Sequence, residues 1–134
     1  MTLKESTKRR IGYVMSGLVV AFMLFDGGIK LIPLEAVTTA SAELGYPATA
    51  ELARGLGVAG LLCTALYVYP RTSVLGAVLL TAYMGGTFAT HLRVGNPLFS
   101  HMLFGVYLAL LAWGGLYLRE ARLRVIFPIR RTEG

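Results

Sequence analysis

Two long apolar segments joined by a short polar turn occupy residues 73–113 and constrain the fold more than any other feature. Each is predominantly apolar and roughly 18 to 20 residues long, the length that a helix needs to span a bilayer. The turn contains a Gly-Asn-Pro cluster at residues 95–97, and such short turns connect antiparallel neighbours. His91 precedes the turn and His101 follows it. We therefore predict a helical hairpin that brings His91, Arg93 and His101 into one small volume.

The composition indicates that lipid is the solvent of this chain. Of its 134 residues, 55% are hydrophobic and 15% are charged, whereas about 25% are charged in soluble proteins. One domain of this length could not bury so much hydrocarbon in a soluble core. The net charge of +6 comes from basic residues at the segment ends. Because no helix face is basic, this charge argues against nucleic-acid binding and favours orientation in a lipid bilayer.

The sequence predicts an all-α integral membrane protein, a four-helix transmembrane bundle formed by one domain over residues 1–134. The basic start and first apolar run resemble a signal peptide. The run continues to full spanning length, however, so we interpret it as an uncleaved helix. We place the helices at about 11–33, 51–69, 72–92 and 98–118, followed by a basic cytoplasmic tail at 119–134.

The distribution of basic residues predicts the orientation of the bundle. Ten of the 13 Lys and Arg residues lie in the N-terminal stretch, at Arg71 or in the C-terminal tail. Basic residues favour the cytoplasmic side of a membrane, so we expect both termini there. The other three basic residues are Lys30, Arg54 and Arg93.

Polar residues accumulate at the outer end of all four predicted helices. Asp26 and Lys30 are spaced i, i+4 and share a helix face. Each charge in hydrocarbon costs about 2.5 to 3.5 kcal/mol on insertion scales, and such residues face interiors or cavities. We therefore predict a polar pocket near this end. Its candidate catalytic residues are Asp26, His91 and His101, and its candidate ligand-binding residues are Lys30, Glu51, Arg54, Tyr83, Thr87, Thr90 and Arg93.

A structural interpretation of the same residues stays open. Asp26 and Lys30 would then be an ion pair that fixes helix packing, with Lys30 extending toward the membrane surface. Tyr83, Thr87 and His91 form a stripe at i, i+4 and i+8, whose hydroxyls would bond locally. The polar stretch at 34–50 is either a lid over the pocket or a plain connector.

The sequence contains few residues that could form a metal site. Cys63 is the single cysteine, which excludes an internal disulfide or a CxxC pair, and we interpret it as a small buried hydrophobe. His91 and His101 have no third Cys, His or carboxylate at metal spacing. We therefore predict no metal.

The third predicted helix carries the motifs PRTSVLGA, LLTAYMGG and ATHLRVG, at 70–77, 79–86 and 89–95. With WGGLYLR at 113–119 and GIKL at 28–31, they resemble the DoxX-like family. That resemblance implies a small four-helix protein of the bacterial inner membrane. The family's namesake is a subunit associated with a thiosulfate:quinone oxidoreductase, so quinone chemistry is implied only by analogy. The family motif positions here are Lys30, Thr90, His91 and Arg93.

Three functional hypotheses remain, and the first is a module that binds a lipid-soluble molecule with a polar head, such as a quinone. Lys30, Arg54 or Arg93 would hold its oxygens, and His91 or His101 would pass protons. The second is a membrane enzyme with Asp26 as base and His91 or His101 as acid, for isomerisation, cyclisation or epoxide opening. The third is a structural or assembly subunit. A membrane partner subunit or a second copy is compatible with each, whereas four short helices suit a transporter poorly.

Overall fold

The computed structural model describes residues 3–32, 39–40, 42–46, 50–97, 103–130 and 132. These residues form helices and connecting turns, with no strand among them. The helices are α1 (Glu5–Leu31), α2 (Ala50–Val68), α3 (Ser73–Val94), α4 (Phe104–Arg119) and the short α5 (Leu123–Ile126), with a 3-10 turn at Pro70–Thr72 between α2 and α3.

Three of the described helices are long and apolar enough to cross a membrane. They are Glu5–Leu31, Glu51–Val68 and Pro70–Val94, with mean hydropathies of 1.7, 1.3 and 1.4. The fourth, α4, is apolar but has 16 residues, about 24 Å at the α-helical rise. Residues 98–102, which the sequence prediction assigned to this helix, lie outside the described residues. The prediction of a helical membrane bundle is confirmed.

The helix ends follow local signals in the sequence. The first helix begins at Glu5, before the predicted start at 11, because Glu5 in its first turn accepts a hydrogen bond from Lys8 Nζ at 3.3 Å. At the end of α3, Gly95 adopts a φ of +74°, a conformation that glycine adopts without strain. The Gly95 and Asn96 N–H groups donate to the carbonyls of Leu92 and His91, which completes a Schellman cap.

The four long helices form a closed ring. Each packs against its neighbour in the chain, and α1 also packs against α4. The buried residues of α1 recur at spacings of three and four, and they are Gly12, Ser16, Val19, Met23 and Gly27. This spacing places them on one face toward the core. The largest fully buried side chains are Tyr67, Met23, Leu80, Leu116, Val19 and Thr64.

Glycines allow the backbones of neighbouring helices to touch. A Cβ atom at Gly12 would lie 2.6 Å from the Gly115 carbonyl oxygen, and one at Gly57 would lie 2.8 Å from the Gly27 carbonyl oxygen. Small residues at helix interfaces permit this close approach in membranes, where van der Waals packing drives association. The side chains that flank these glycines are therefore held at fixed positions.

The start of α1 and the segment after α4 lie at the same end of the bundle. An ion pair joins Arg124 Nη2 to Glu5 Oε2 at 2.8 Å. We call this the basic end, because it holds the N-terminal basic residues and those of the described tail. The opposite end, which carries Asp26, Lys30 and Arg93, is the polar end. Which end faces the cytoplasm stays a prediction.

Candidate functional site

A charged cluster joins α1 to α3 at the polar end. Lys30 Nζ donates to Asp26 Oδ2 at 2.7 Å and to the Tyr83 hydroxyl at 3.1 Å. The Tyr83 hydroxyl donates in turn to the Leu56 carbonyl of α2 at 3.4 Å. Asp26 and Lys30 meet because they are one helical turn apart. Asp26, Lys30 and Tyr83 are called the lysine cluster below.

The lysine cluster is half-buried and charged. The side chains of Lys30 and Asp26 are 23% and 24% exposed, and Lys30 Nζ also lies 5.6 Å from the centre of the Tyr83 ring. An ammonium has three N–H donors, and Asp26 and Tyr83 accept two of those of Lys30. The cation is therefore hydrogen-bonded to both an anion and a phenol, and the ion pair remains partly accessible.

Glycines of α2 form the wall beside the lysine cluster. A Cβ atom at Gly57 would lie 3.0 Å from Lys30 Cβ, and one at Gly60 would lie 3.6 Å from the Tyr83 hydroxyl. Larger side chains at these positions would displace the lysine or the tyrosine. The absence of side chains there is what lets Lys30 and Tyr83 meet across the face of α2.

A second cluster ties the connecting loop to the end of α3. Arg93 Nη2 donates to the Leu44 carbonyl at 2.7 Å, and the hydroxyls of Tyr46 and Thr90 are 2.8 Å apart. Thr90 donates its own proton to the Gly86 carbonyl at 2.8 Å, so Tyr46 is the donor to Thr90. We call Leu44, Tyr46, Thr90 and Arg93 the loop cluster.

The loop cluster includes the described part of the segment predicted as a lid or connector. Residues 39–40 and 42–46 are described, whereas 33–38, 41 and 47–49 are not. Gly45 has a φ of +82°, and a Cβ atom there would lie 2.9 Å from Arg93 Nη2. Whether this segment acts as a lid stays a prediction.

The other predicted site residues have separate partners. His91 Nδ1 is 2.7 Å from Asn96 Nδ2, Arg54 Nε donates to the Leu31 carbonyl at 3.3 Å, and Thr87 donates to the Tyr83 carbonyl of its own helix at 3.2 Å. Glu51 is exposed. His101 lies outside the described residues, so its approach to His91 stays a prediction.

The predicted residues thus divide between two levels rather than one. Eight residues separate Tyr83 from His91, about 12 Å along the axis of α3. Lys30 and Asp26 lie at the level of Tyr83, whereas Thr90 and Arg93 contact the loop. The sequence pattern could not separate these levels, because the tilt and depth of each helix depend on its packing.

A buried network that the sequence analysis did not single out lies nearer the basic end. Tyr67 donates to the Ala112 carbonyl at 2.6 Å, so the Ser16 hydroxyl, 2.8 Å away, donates to Tyr67. Arg119 Nε donates to Ser16 Oγ at 3.2 Å. These residues are called the serine network. The available signal was the hydroxyl of Ser16 within the apolar stripe of α1.

An open apolar groove lies on the outer face of α3 and α4. Its volume is about 820 Å³, and none of the predicted site residues that the structure describes lines it. The lining residues are Thr81, Met84, Gly85, Phe88, Gly105, Val106, Ala109, Leu110, Trp113, Gly114, Tyr117, Phe127 and Pro128. The sequence analysis did not single out this groove, because its lining residues look like ordinary lipid-facing side chains.

Metal ligands do not converge in the part of the chain that the structure describes. No group of three or more His, Cys, Asp or Glu side chains there could hold a metal ion. His101 and the acidic residues outside the described ranges are not part of that statement.

Comparison with known proteins gives one match. No curated protein and no solved structure matches this sequence. The profile of the DoxX-like family matches residues 14–115, which is more than half of the chain. The matched region includes the lysine cluster, Thr90 and Arg93. The chain belongs to the DoxX-like family.

Proposed function

We propose that this protein is a membrane module that binds the polar head of a lipid-soluble small molecule at the lysine cluster, with a quinone as the candidate class. One observation carries this proposal. The Lys30 ammonium is paired with Asp26 and Tyr83 within a membrane-spanning helix bundle, yet 23% of its side chain is exposed.

The free-energy cost of placing a charged side chain in a membrane supports a ligand-binding role for the lysine cluster. A charged side chain within a spanning helix is expensive, and such residues face a bundle interior or a cavity. A neutral pair could join α1 to α3 without that cost. The use of an ammonium and a carboxylate is therefore explained best by a ligand that needs them.

The chemistry of the lysine cluster suits a carbonyl or phenolate oxygen. The remaining N–H of Lys30 would donate to this oxygen, while Asp26 neutralises the ammonium when the ligand leaves. Charge-assisted hydrogen bonds of this kind are stronger than neutral ones. Cys63 is the single cysteine of the sequence, so a partner subunit or the ligand would supply electrons in any redox step.

The proposal extends to the orientation of the bundle. The basic end would face the cytoplasm of a bacterial cell, with the lysine cluster toward the outer side of the inner membrane. Reporters fused at Met1 and Gly134 are expected to be active on the cytoplasmic side. An external signal from both would invert the bundle and place the lysine cluster near the cytoplasm.

A titration with a defined probe tests the binding proposal. We expect the protein in lipid nanodiscs to bind decyl-benzoquinone saturably, and Lys30→Met to weaken that binding about 10- to 100-fold, as loss of a charged hydrogen bond predicts. Lys8→Met is the matched control, because Lys8 lies on the same helix at the basic end and its loss should leave binding unchanged. Saturable binding that survives in Lys30→Met would refute the proposal, as would binding that never saturates.

A further inference from the structure

We propose that the groove between α3 and α4 retains an anionic phospholipid, with one acyl chain along the groove and the headgroup against the exposed arginines Arg122 and Arg130. This inference does not depend on the lysine cluster, because no residue of that cluster lines the groove. The floor of the groove contains small residues, including Gly85, Gly105, Ala109 and Gly114. Leu110 at its rim is 65% exposed, so the groove opens to the outside of the bundle.

The dimensions of the groove match one leaflet of a bilayer. Its lining residues on α4 run from Gly105 to Tyr117, which is about 18 Å at the α-helical rise. Half of a bilayer hydrocarbon core is about 15 Å thick. The volume of about 820 Å³ lies within the range of sites that enclose small molecules, about 300 to 1,000 Å³. A single acyl chain therefore fits the length of the groove.

The C-terminal segment closes the groove at the basic end. Phe127 stacks on Trp113 with ring centres 4.6 Å apart, and Phe127 and Pro128 both line the groove. Trp113 Nε1 donates to Thr81 Oγ1 of α3 at 2.6 Å, which links both walls. Aromatic residues concentrate at the membrane–water interface, so this end marks the level of lipid headgroups.

Two exposed arginines flank Phe127 and Pro128 in the sequence. Arg119 is engaged by Ser16 and Arg124 by Glu5, whereas Arg122 and Arg130 are exposed. Within the described ranges, neither of these two makes an ion pair. Both arginines lie within five residues of Phe127 in the sequence, and basic residues near the membrane surface attract anionic headgroups. This charge favours an anionic phospholipid over a neutral lipid, a free lipophile or a second basic copy of the chain.

The single tryptophan of the sequence reports occupancy of the groove. Trp113 lines it and is the one tryptophan in the chain, so brominated lipids should quench its fluorescence. We expect brominated phosphatidylglycerol to quench Trp113 in phosphatidylcholine vesicles at about fivefold lower mole fraction than brominated phosphatidylcholine, which is the preference given by one arginine near a membrane surface.

Two pairs of variants separate the contributions of shape and charge. Gly85 lines the groove and Gly86 does not, and a Cβ atom at either would meet nothing within 4 Å. Gly85→Leu should remove the preference for the anionic lipid, whereas Gly86→Leu should keep it. The double variant Arg122→Gln/Arg130→Gln should remove this preference of about fivefold, whereas Arg9→Gln/Arg10→Gln on α1 should leave it unchanged.

Three results would overturn the proposal. Equal quenching by the two brominated lipids would show ordinary bulk lipid in the groove. Weak quenching by both lipids would show that a second copy of the chain covers the groove. Relief of quenching by decyl-benzoquinone would assign the groove to a lipophile. Should Gly85→Leu fail to fold, the variant of the two arginines alone decides, because both are exposed and neither forms an ion pair with another described residue.

Discussion

Two of the polar clusters described above, the serine network and the lysine cluster, differ in how completely they are enclosed. In the serine network, Ser16 and Tyr67 are 6% and 1% exposed, and neutral hydroxyls carry a chain of hydrogen bonds to the Ala112 carbonyl. In the lysine cluster, the ion-paired side chains are 23% and 24% exposed. The hydrogen bonds of the serine network end at a backbone carbonyl inside the bundle, whereas the ion pair of the lysine cluster remains partly accessible.

This difference in exposure distinguishes a cluster that stabilises helix packing from one that is open to a ligand. Buried polar groups stabilise a bundle when they are satisfied by hydrogen bonds. The hydroxyls of Ser16 and Tyr67 meet that condition, close to where α1 and α4 touch at Gly12 and Gly115. The Asp26–Lys30 ion pair, about a quarter exposed, contributes less to stability, because solvent or headgroups screen it. We infer that the serine network holds the helices together and that the lysine cluster is kept for a ligand.

The largest effect is expected where the backbones touch beside the serine network. Gly12→Ala would place a Cβ atom 2.6 Å from the Gly115 carbonyl oxygen, so α1 and α4 must move apart. We expect a loss of about 1 to 3 kcal/mol in the free energy of unfolding, measured by denaturation in mixed detergent. Gly17→Ala is the control, because a Cβ atom there meets nothing within 4 Å. Equal stability of Gly12→Ala and Gly17→Ala would show that the helices are not in contact at Gly12.

A matched pair of tyrosine variants sharpens the comparison. Tyr67→Phe leaves the Ser16 hydroxyl and the Ala112 carbonyl without their partner, so we expect a loss of about 1 to 2 kcal/mol and unchanged probe binding. Tyr83→Phe removes one acceptor from Lys30 and should cost about 0.6 kcal/mol while weakening probe binding. Unfolding and decyl-benzoquinone titrations of both variants provide the measurement. A reversed pattern would exchange the roles of the two clusters.

The fold was largely predictable from the sequence, because length and hydropathy decide membrane insertion. The apolar runs and the turn at Pro70 locate the helices, since few other structures satisfy backbone hydrogen bonds in lipid. The sequence located the ends of the helices less accurately than the helices themselves. The first helix extends back to Glu5, since polar residues continue a helix beyond the membrane when local ion pairs support it.

The candidate site was predictable only in part. The i, i+4 spacing of Asp26 and Lys30 fixes their contact, but the contact between Lys30 and Tyr83 depends on how α1, α2 and α3 pack. The sequence analysis grouped Asp26 with His91, whereas the contacts of Asp26 are with Lys30 and those of His91 include Asn96. Relative depth and rotation of helices depend on packing, which the pattern of one helix does not reveal.

The smallest effect is expected at the loop cluster. Tyr46→Phe removes the hydrogen bond to Thr90, but Thr90 keeps its bond to the Gly86 carbonyl. We expect a loss below about 0.5 kcal/mol and faster amide exchange at residues 42–46, observed by hydrogen–deuterium exchange. Exchange at Gly60 and Thr64 in α2 serves as the internal reference. An unfolding loss as large as that of Tyr67→Phe would place the loop among the elements that hold the bundle together.

A double-mutant cycle on Asp26 and Lys30 tests the central distinction most directly. We measure the free energy of unfolding of Asp26→Asn, Lys30→Met and the double variant in mixed detergent. Because the pair is about a quarter exposed and an Asn oxygen still accepts from Lys30, we predict that Asp26→Asn loses less than about 1 kcal/mol and that the double variant is no more stable. A loss of about 3 to 5 kcal/mol in Asp26→Asn, restored in the double variant, is the signature of a broken buried ion pair. That result would contradict the account and make the lysine cluster a packing element.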